Sequence, residues 1–326
     1  MRLSKYCVIG ITGVIFLFFL YIVCVSPLSG NDADYEFRFT FICPLKWDYS
    51  AYGMEAAAKE HGVSMKYIQF ERLNAQEQAE AIEEALLENV DGIITAGMED
   101  SDGLKQVIEE ARREGVPLVL IDNDLEDSAR TCYIGCDNYK VGEQAGDVLA
   151  EAVGEQAKIG IVVSTLDAPN QLERVEGFRH ALEAYPEMKI EDIQECYSNR
   201  MTLYEKVPQM LKKYPEMNAL YLTEGSSSAG TGEILEELGI GEGEMKIVSI
   251  DGIGDVDQDI LQRKWHFAGF QQDHYEQGYQ AVEVLCRYLA GEEVPGFIYT
   301  DFRMFTKENI GEAEVKGQGE IVWHQY

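Results

Sequence analysis

Carboxylate, amide and aromatic residues recur along the chain directly behind short apolar runs. They stand at Pro44-Leu45-Lys46-Trp47-Asp48, Asp122-Asn123-Asp124, Asp137-Asn138, Thr165 to Arg174, Glu224-Gly225-Ser226, Asp251-Gly252 and Gln271-Gln272-Asp273. This mixture suits a sugar or another polyol. Carboxylates accept from vicinal hydroxyls, amides and an arginine fork donate to oxygens, and a flat ring covers the C–H face. Taken singly, an Asp or Asn behind a strand more often caps the next helix or closes a turn, which is the first reading for Asp137 and Asp273. Trp47 equally suits a core aromatic, and Arg174, preceded by Glu173, an exposed ion-pair partner. The constellation, not any member, points to a ligand.

Enzyme signatures are missing. The chain has no His-Glu-x-x-His, no Gly-x-Ser-x-Gly and no Gly-Lys-Ser/Thr loop, and the stretch from Gly225 to Gly232 lacks the lysine of a phosphate loop. Asp255, Asp257 and Asp259 have the spacing that opens a calcium loop, but Ile260 stands at its turn glycine and His266 at its bidentate glutamate. Five histidines and seven cysteines, with no Cys-x-x-Cys, leave little for metal or thiol chemistry. No cofactor, no metal and no catalysis are expected.

The 326 residues suffice for two ordinary domains, and 46% are hydrophobic, enough for a sizeable core. The net charge of −31 is spread along the chain, which excludes nucleic acid and anionic lipid as partners, since both need clustered cations. Arg2 and Lys5 precede an uncharged run from Cys7 to Val25, long enough at about 1.5 Å per residue to cross a bilayer's hydrocarbon. Asp32, Asp34 and Glu36 follow it, so the remainder is expected outside the cytoplasm. A cleaved signal peptide, an uncleaved signal anchor and a lipoprotein signal at Cys24 all remain open for residues 1–30. The five later cysteines, Cys43, Cys132, Cys136, Cys196 and Cys286, are odd in number, so at least one thiol stays unpaired within the chain. Cys132 and Cys136, in a strand-like stretch, stand too far apart to bridge.

From Tyr35 onward strands and helices alternate. Strands are predicted at Phe37 to Ile42, Ser64 to Phe70, Gly92 to Thr95, Leu118 to Ile121, Ile159 to Val163, Ala219 to Leu222, Lys246 to Ile250 and Phe267 to Phe270. The helices between them include Tyr49 to His61, Ala75 to Glu88, Leu104 to Glu114, Lys140 to Val153, Asn170 to Ala184, Leu203 to Lys213, Ala229 to Leu238 and Tyr275 to Leu289. Short apolar strands alternating with helices mean parallel α/β sheet. Periodicity leaves two doubly wound lobes and a closed barrel both open, and in either the ligand belongs at the carboxyl ends of the strands.

Several segments resemble the type I periplasmic sugar-binding proteins, the ribose-binding branch above all, which shares its core with the LacI-type repressors. They are Gly53-Met54-Glu55-Ala56-Ala57, Val90-Asp91-Gly92-Ile93-Ile94, Gly115-Val116-Pro117 through Asp122, Ile134-Gly135-Cys136-Asp137-Asn138, Glu173-Arg174-Val175-Glu176-Gly177-Phe178 and Ile250-Asp251-Gly252. The similarity spans Phe37 to Ile310, and no DNA-binding motif precedes it. The resemblance implies two Rossmann-like lobes joined by three hinge strands: residues 35–136 with 273–300, and 137–272 with 301–310, followed by a tail at 311–326. It further implies Trp47 as the aromatic stacker with Asp48 beside it, Asp122-Asn123 in place of an Asp-Arg pair, Arg174, Glu224 in place of an Asn, Asp251, and Gln272 at the hinge, with Asp137 a weaker candidate.

The shorter first loop and the exchanges at Asn123 and Glu224 argue against a copy of the ribose site. Four carboxylates, Asp48, Asp122, Glu224 and Asp251, facing Arg174 disfavour an anionic ligand and favour a neutral sugar, a polyol or an amino sugar. The expectation is a monomeric, membrane-tethered, extracytoplasmic protein that closes on a small carbohydrate and delivers it to an ABC importer. The alternative is a sensor subunit that presents its liganded form to a membrane histidine kinase or chemoreceptor.

Overall fold

Four segments, Gly92–Thr95, Leu118–Ile121, Cys132–Gly135 and Ala219–Leu222, are buried at every position. A strand without polar alternation must run inside a sheet that is covered on both faces. The computed structural model describes residues 35–44, 47–70, 74–252, 259–260, 264–310, 313–315 and 321–323. Its elements run β1 (Phe37–Pro44), α1 (Asp48–His61), β2 (Val63–Phe70), α2 (Ala75–Leu87), β3 (Gly92–Thr95), α3 (Asp102–Glu114), β4 (Leu118–Ile121) and β5 (Cys132–Gly135). Then follow α4 (Asn138–Val153), β6 (Ala157–Val163), α5 (Pro169–Leu182), β7 (Met188–Glu195), α6 (Arg200–Lys213), β8 (Ala219–Leu222), α7 (Gly225–Glu237), β9 (Lys246–Ile250), β10 (His266–Gln272) and α8 (His274–Leu289). The chain ends in β11 (Phe297–Tyr299), β12 (Phe302–Thr306), β13 (Ala313–Val315) and β14 (Ile321–Trp323).

Two six-stranded sheets result, ordered β2-β1-β3-β4-β5-β11 and β7-β6-β8-β9-β10-β12. The order repeats, so each strand of the first sheet has a counterpart in the second. All neighbours are parallel except β12, which runs antiparallel to β10 and makes the second sheet mixed. Strands β13 and β14 form a separate antiparallel ribbon. The open two-lobed α/β architecture is the one the resemblance implied, and a closed barrel is excluded.

Each sheet is covered by one apolar layer per face. In the first lobe Phe39, Phe41, Val119 and Ile121 pack under α1 and α8, while Ile42, Ile93 and Leu120 pack under α2 and α3. In the second, Ile159, Ile161, Tyr221 and Val248 lie under α4 and α5, and Val162, Leu220 and Ile247 under α6 and α7. Helix α4 follows a strand of the first sheet yet packs in the second lobe, and α8 does the reverse. The chain therefore passes between the lobes three times, at Cys136–Asp137, at Asp273 and at Thr300–Asp301.

The β13–β14 ribbon, and within the two sheets β7, β11 and β12, escaped the sequence reading. The last three lie at sheet edges, where one flank faces solvent and polar residues are tolerated, so Met188–Glu195 lacks the apolar run of an interior strand. Cys43, Cys132, Cys136 and Cys196 are buried free thiols, and Cys286 is buried as well. Among the described residues no helix is long and apolar enough to cross a membrane; the run from Cys7 to Val25 lies outside them.

Candidate ligand-binding site

Two carboxylates are presented by the same backbone device, one from each lobe. Asp122 follows β4 and Asp251 follows its counterpart β9, and both adopt the left-handed conformation, with φ of 63° and 58°. Each donates its N–H to the neighbouring fifth strand, Asp122 to Ile134 O at 3.0 Å and Asp251 to Phe270 O at 2.6 Å. Asp is among the few L residues that accept this conformation at modest cost.

Arg174 lies on α5, 1% exposed. Its Nε donates to Asn138 Oδ1 at 2.9 Å and its Nη1 to Thr223 O at 2.7 Å, while Nη2 has no hydrogen-bond partner among the described residues. An enclosed donor left unsatisfied costs about 1–3 kcal/mol, so it marks where an acceptor belongs. The surrounding Arg-x-x-Gly-Phe sequence has a packing logic. Phe178 stacks on Tyr221 with ring centroids 4.4 Å apart, and a Cβ on Gly177 would press against the Tyr139 carbonyl of α4. Gly142 of α4 sits against the Arg174 carbonyl in the same way. The first lobe repeats the arrangement, Gly53 of α1 meeting the backbone of Tyr275 and Gly278 of α8 that of Ser50.

Asp251 is held by four donors: Gln271 Nε2 at 3.2 Å, Gln272 N at 3.3 Å, Gln272 Nε2 at 3.0 Å and His274 Nε2 at 3.5 Å. Burial works to raise both carboxyls. At Asp251 the charge and hydrogen bond of His274, with Arg174, overcome it and hold the pKa below the usual range. At Asp122 burial prevails over Arg174 and His274, and the pKa lies above it. Burial also opposes charging of His274, but Asp251 and then Asp122 raise it to about 9. At neutral pH the group thus holds an imidazolium and a guanidinium against the two carboxyls.

Asn123 links the lobes. Its Oδ1 accepts from the backbone N–H of Asn170 at 2.9 Å, supplying from the first lobe the cap that Ala168 cannot give to α5. Asn170 Nδ2 returns to Asp122 Oδ2 at 3.1 Å. Gln272 joins all three crossings. Its Oε1 accepts from Cys136 Sγ at 3.1 Å and from Gln277 Nε2 at 3.5 Å, and Gln277 also reaches Thr300 Oγ1 at 3.5 Å.

The structure thus gathers Asp122, Asn123, Arg174, Asp251 and Gln272. Glu224 has a structural task, its carboxylate accepting from Ser226 N at 2.8 Å and Ser227 N at 2.7 Å as the cap of α7. Asp137 and Asp273 cap α4 and α8 in the same way. Trp47, half-buried before α1, packs on the first lobe's core with its ring 6.4 Å from Phe41, and Asp48 is exposed in the first turn. Asp255 and Asp257 lie outside the described residues, and Asp259 accepts from Trp265 N and from His266.

Sequence reasoning missed His274, together with Asn138 and Asn170 as individual residues. A signal for His274 was present: Asp137-Asn138-Tyr139 with Gly142 and Asp273-His274-Tyr275 with Gly278 are one motif at counterpart positions, and its second residue opens each crossing helix.

Comparison with known proteins agrees with this fold. The model of the periplasmic binding protein domain matches residues 47–293, and the chain belongs to that family. It is a family of extracytoplasmic solute-binding proteins, not of enzymes. The ribose import binding protein of Bacillus subtilis is 23% identical over 256 residues, 78% of this chain and 81% of that protein. A glucose-galactose binding protein from Geobacillus stearothermophilus superposes with a TM-score of 0.78 at 32% identity, covering 83% of this chain and 98% of that one. The fructose-binding periplasmic domain of a hybrid two-component system shares the fold, with a TM-score of 0.78 at 23% identity over 85% of this chain and 92% of that one.

Proposed function

We infer that the protein captures a small carbohydrate between its lobes and delivers it to an ABC importer, held at the membrane by the segment from Cys7 to Val25. The observation that carries this reading is the meeting of Asp122, Arg174, Asp251 and Gln272 from both lobes, with one enclosed guanidinium nitrogen, Arg174 Nη2, unengaged among the described residues. Acceptors from each lobe around a single fork match a ring of vicinal hydroxyls, and contacts made by both lobes favour the closed state when it is filled. The related glucose-galactose and ribose import binding proteins support a sugar as the ligand class. Trp47 and Asp48 stand at the end of β1, where a ring and an acceptor border the same strand ends.

Calorimetric titration with D-ribose, D-glucose, D-galactose, D-arabinose and xylitol tests the reading. Wild type should bind at least one, and Arg174→Ala and Asp251→Ala should each abolish it. Tight binding of a sugar phosphate or unchanged affinity in both variants refutes it. A sensor role is the second reading, favoured by the fold shared with a two-component receptor domain. Co-purification with a permease or with a histidine kinase separates the two.

A further inference from the structure

His274 opens α8, which packs in the first lobe, and reaches Asp251 at the end of β9 in the second, Nε2 to Oδ1 at 3.5 Å. Both side chains are largely enclosed, 23% and 16% exposed. Asp122 faces the same imidazole from the end of β4 and Arg174 from α5, while Cys136 beside Arg174 stays a neutral thiol, pushed by burial to about 12. The positive end of the α8 dipole opposes a cation at its first residue, so the carboxylates must hold it there. Asn138, the counterpart of His274 at the start of α4, is an uncharged amide engaged with Arg174. The duplicated frame therefore supplies the two carboxylates, and two residues break its symmetry by adding a cation each: Arg174, whose counterpart on α1 is Ser50, and His274, whose counterpart is Asn138.

We propose that His274 is a specificity-determining residue of the cleft: as an imidazolium it balances, with Arg174, the charges of Asp122 and Asp251, so that the site takes an uncharged polyhydroxy ligand and rejects a protonated amino sugar. The proposal rests on the sugar-binding reading above and narrows its ligand class. With both cations present, a ligand ammonium would be a surplus charge desolvated without a partner. Without His274 two carboxylates would face one guanidinium, and an ammonium would supply the missing charge. Asp251, kept ionised, is a pure acceptor and selects hydroxyl donors.

The test titrates the full-length chain in mild detergent with the five neutral ligands named above and with D-glucosamine, from about pH 6 to about pH 10. Wild type is compared with His274→Gln, which retains a donor without the charge, and with Asp251→Ala as the reference for the cleft. Wild type should bind a neutral ligand, discriminate against glucosamine near pH 6, and weaken as the pH rises through about 9, where His274 titrates. His274→Gln should bind the neutral ligand about tenfold more weakly at pH 7, lose the alkaline transition and lose about tenfold of the discrimination. Wild-type affinity, pH profile and discrimination in His274→Gln, with binding lost in Asp251→Ala, overturn the proposal and leave the sugar-binding reading standing. Preferential binding of glucosamine by wild type also overturns it. Failure of wild type to bind any of the six compounds overturns the sugar-binding reading itself and the proposal with it.

Discussion

Gly142→Ala tests whether the crossing of α4 and α5 sets the position of Arg174. A Cβ at residue 142 would stand 2.9 Å from the Arg174 carbonyl carbon and 3.0 Å from Phe178 N, and nearer still to the Arg174 carbonyl oxygen. Ordinary contact begins at 3.4 Å, so the helices must part by at least 0.5 Å, and the residue displaced is the one that carries the guanidinium. Overpacking of this kind costs about 1–3 kcal/mol. Replacing a helical glycine by alanine returns at most about 1 kcal/mol, so at full return a net loss of about 0–2 kcal/mol remains and the change in affinity decides the matter. In the cleft the shift should break one hydrogen bond of the guanidinium, about 1.5–3 kcal/mol, or roughly 10- to 100-fold in Kd. Urea unfolding and calorimetric titration of the same preparations measure both numbers. Gly103→Ala is the control: it lies in α3 with nothing within 4 Å of its added Cβ, and should gain stability with unchanged affinity. If Gly142→Ala unfolds within about 0.5 kcal/mol of wild type and binds sugar equally well, the crossing does not position Arg174 and the packing argument is wrong.

Two further perturbations address other parts of the structure. Glu224→Ala removes the cap of α7 and should cost about 1 kcal/mol in urea unfolding, with most of it restored by Glu224→Asp; equal stability of all three proteins would return Glu224 to the ligand. The ligand-free protein should also lose stability on the alkaline side. His274 titrates at about 9 when folded against 6.5 unfolded, so its contribution is complete below about pH 6.5 and is lost as the pH rises through about 9. Melting temperatures measured across that window should fall in wild type and lack this phase in His274→Gln, and identical profiles would contradict the ion pair with Asp251.

The interior of the fold was legible because burial on both faces leaves a plain mark: Leu118–Ile121 and Ala219–Leu222 are unbroken apolar runs. Met188–Glu195 was not, since an edge strand needs only one covered flank and its composition drifts toward that of a loop. Among the polar residues the limit is different. Asp122, Glu224 and Asp273 all follow strands and look alike in sequence, yet one accepts from Asn170 of the other lobe while two bond the amides of the helices they open. What separates them is the backbone. A left-handed residue turns its side chain away from the next helix, and no local pattern distinguishes that φ from the extended one of a cap. His274 was hidden for a third reason: its partner is 23 positions earlier in the chain, on the other lobe, and only the motif it shares with Asp137-Asn138-Tyr139 and Gly142 marks its place.

The placement of the charges follows from the duplication. Because both sheets have the same strand order, the ends of β4 and β9 come together where the lobes meet, and whatever one backbone offers there the other offers too. A left-handed position restricts the side chain to Gly, Asn and Asp at low cost, so two facing acidic or amide groups are close to the only polar solution. Two carboxylates so placed are costly to keep charged: burial first, and the neighbouring Asp251 charge after it, raise the pKa of Asp122. Cations must therefore come from elements outside the repeat's own strand ends: Arg174 from within α5, and His274 from the helix that crosses back to the first lobe. The carboxylates are the fixed part of the design and the cations the variable part. Exchanging the residue at 274, rather than either aspartate, is then the route by which this frame would change the charge of its ligand while keeping its backbone.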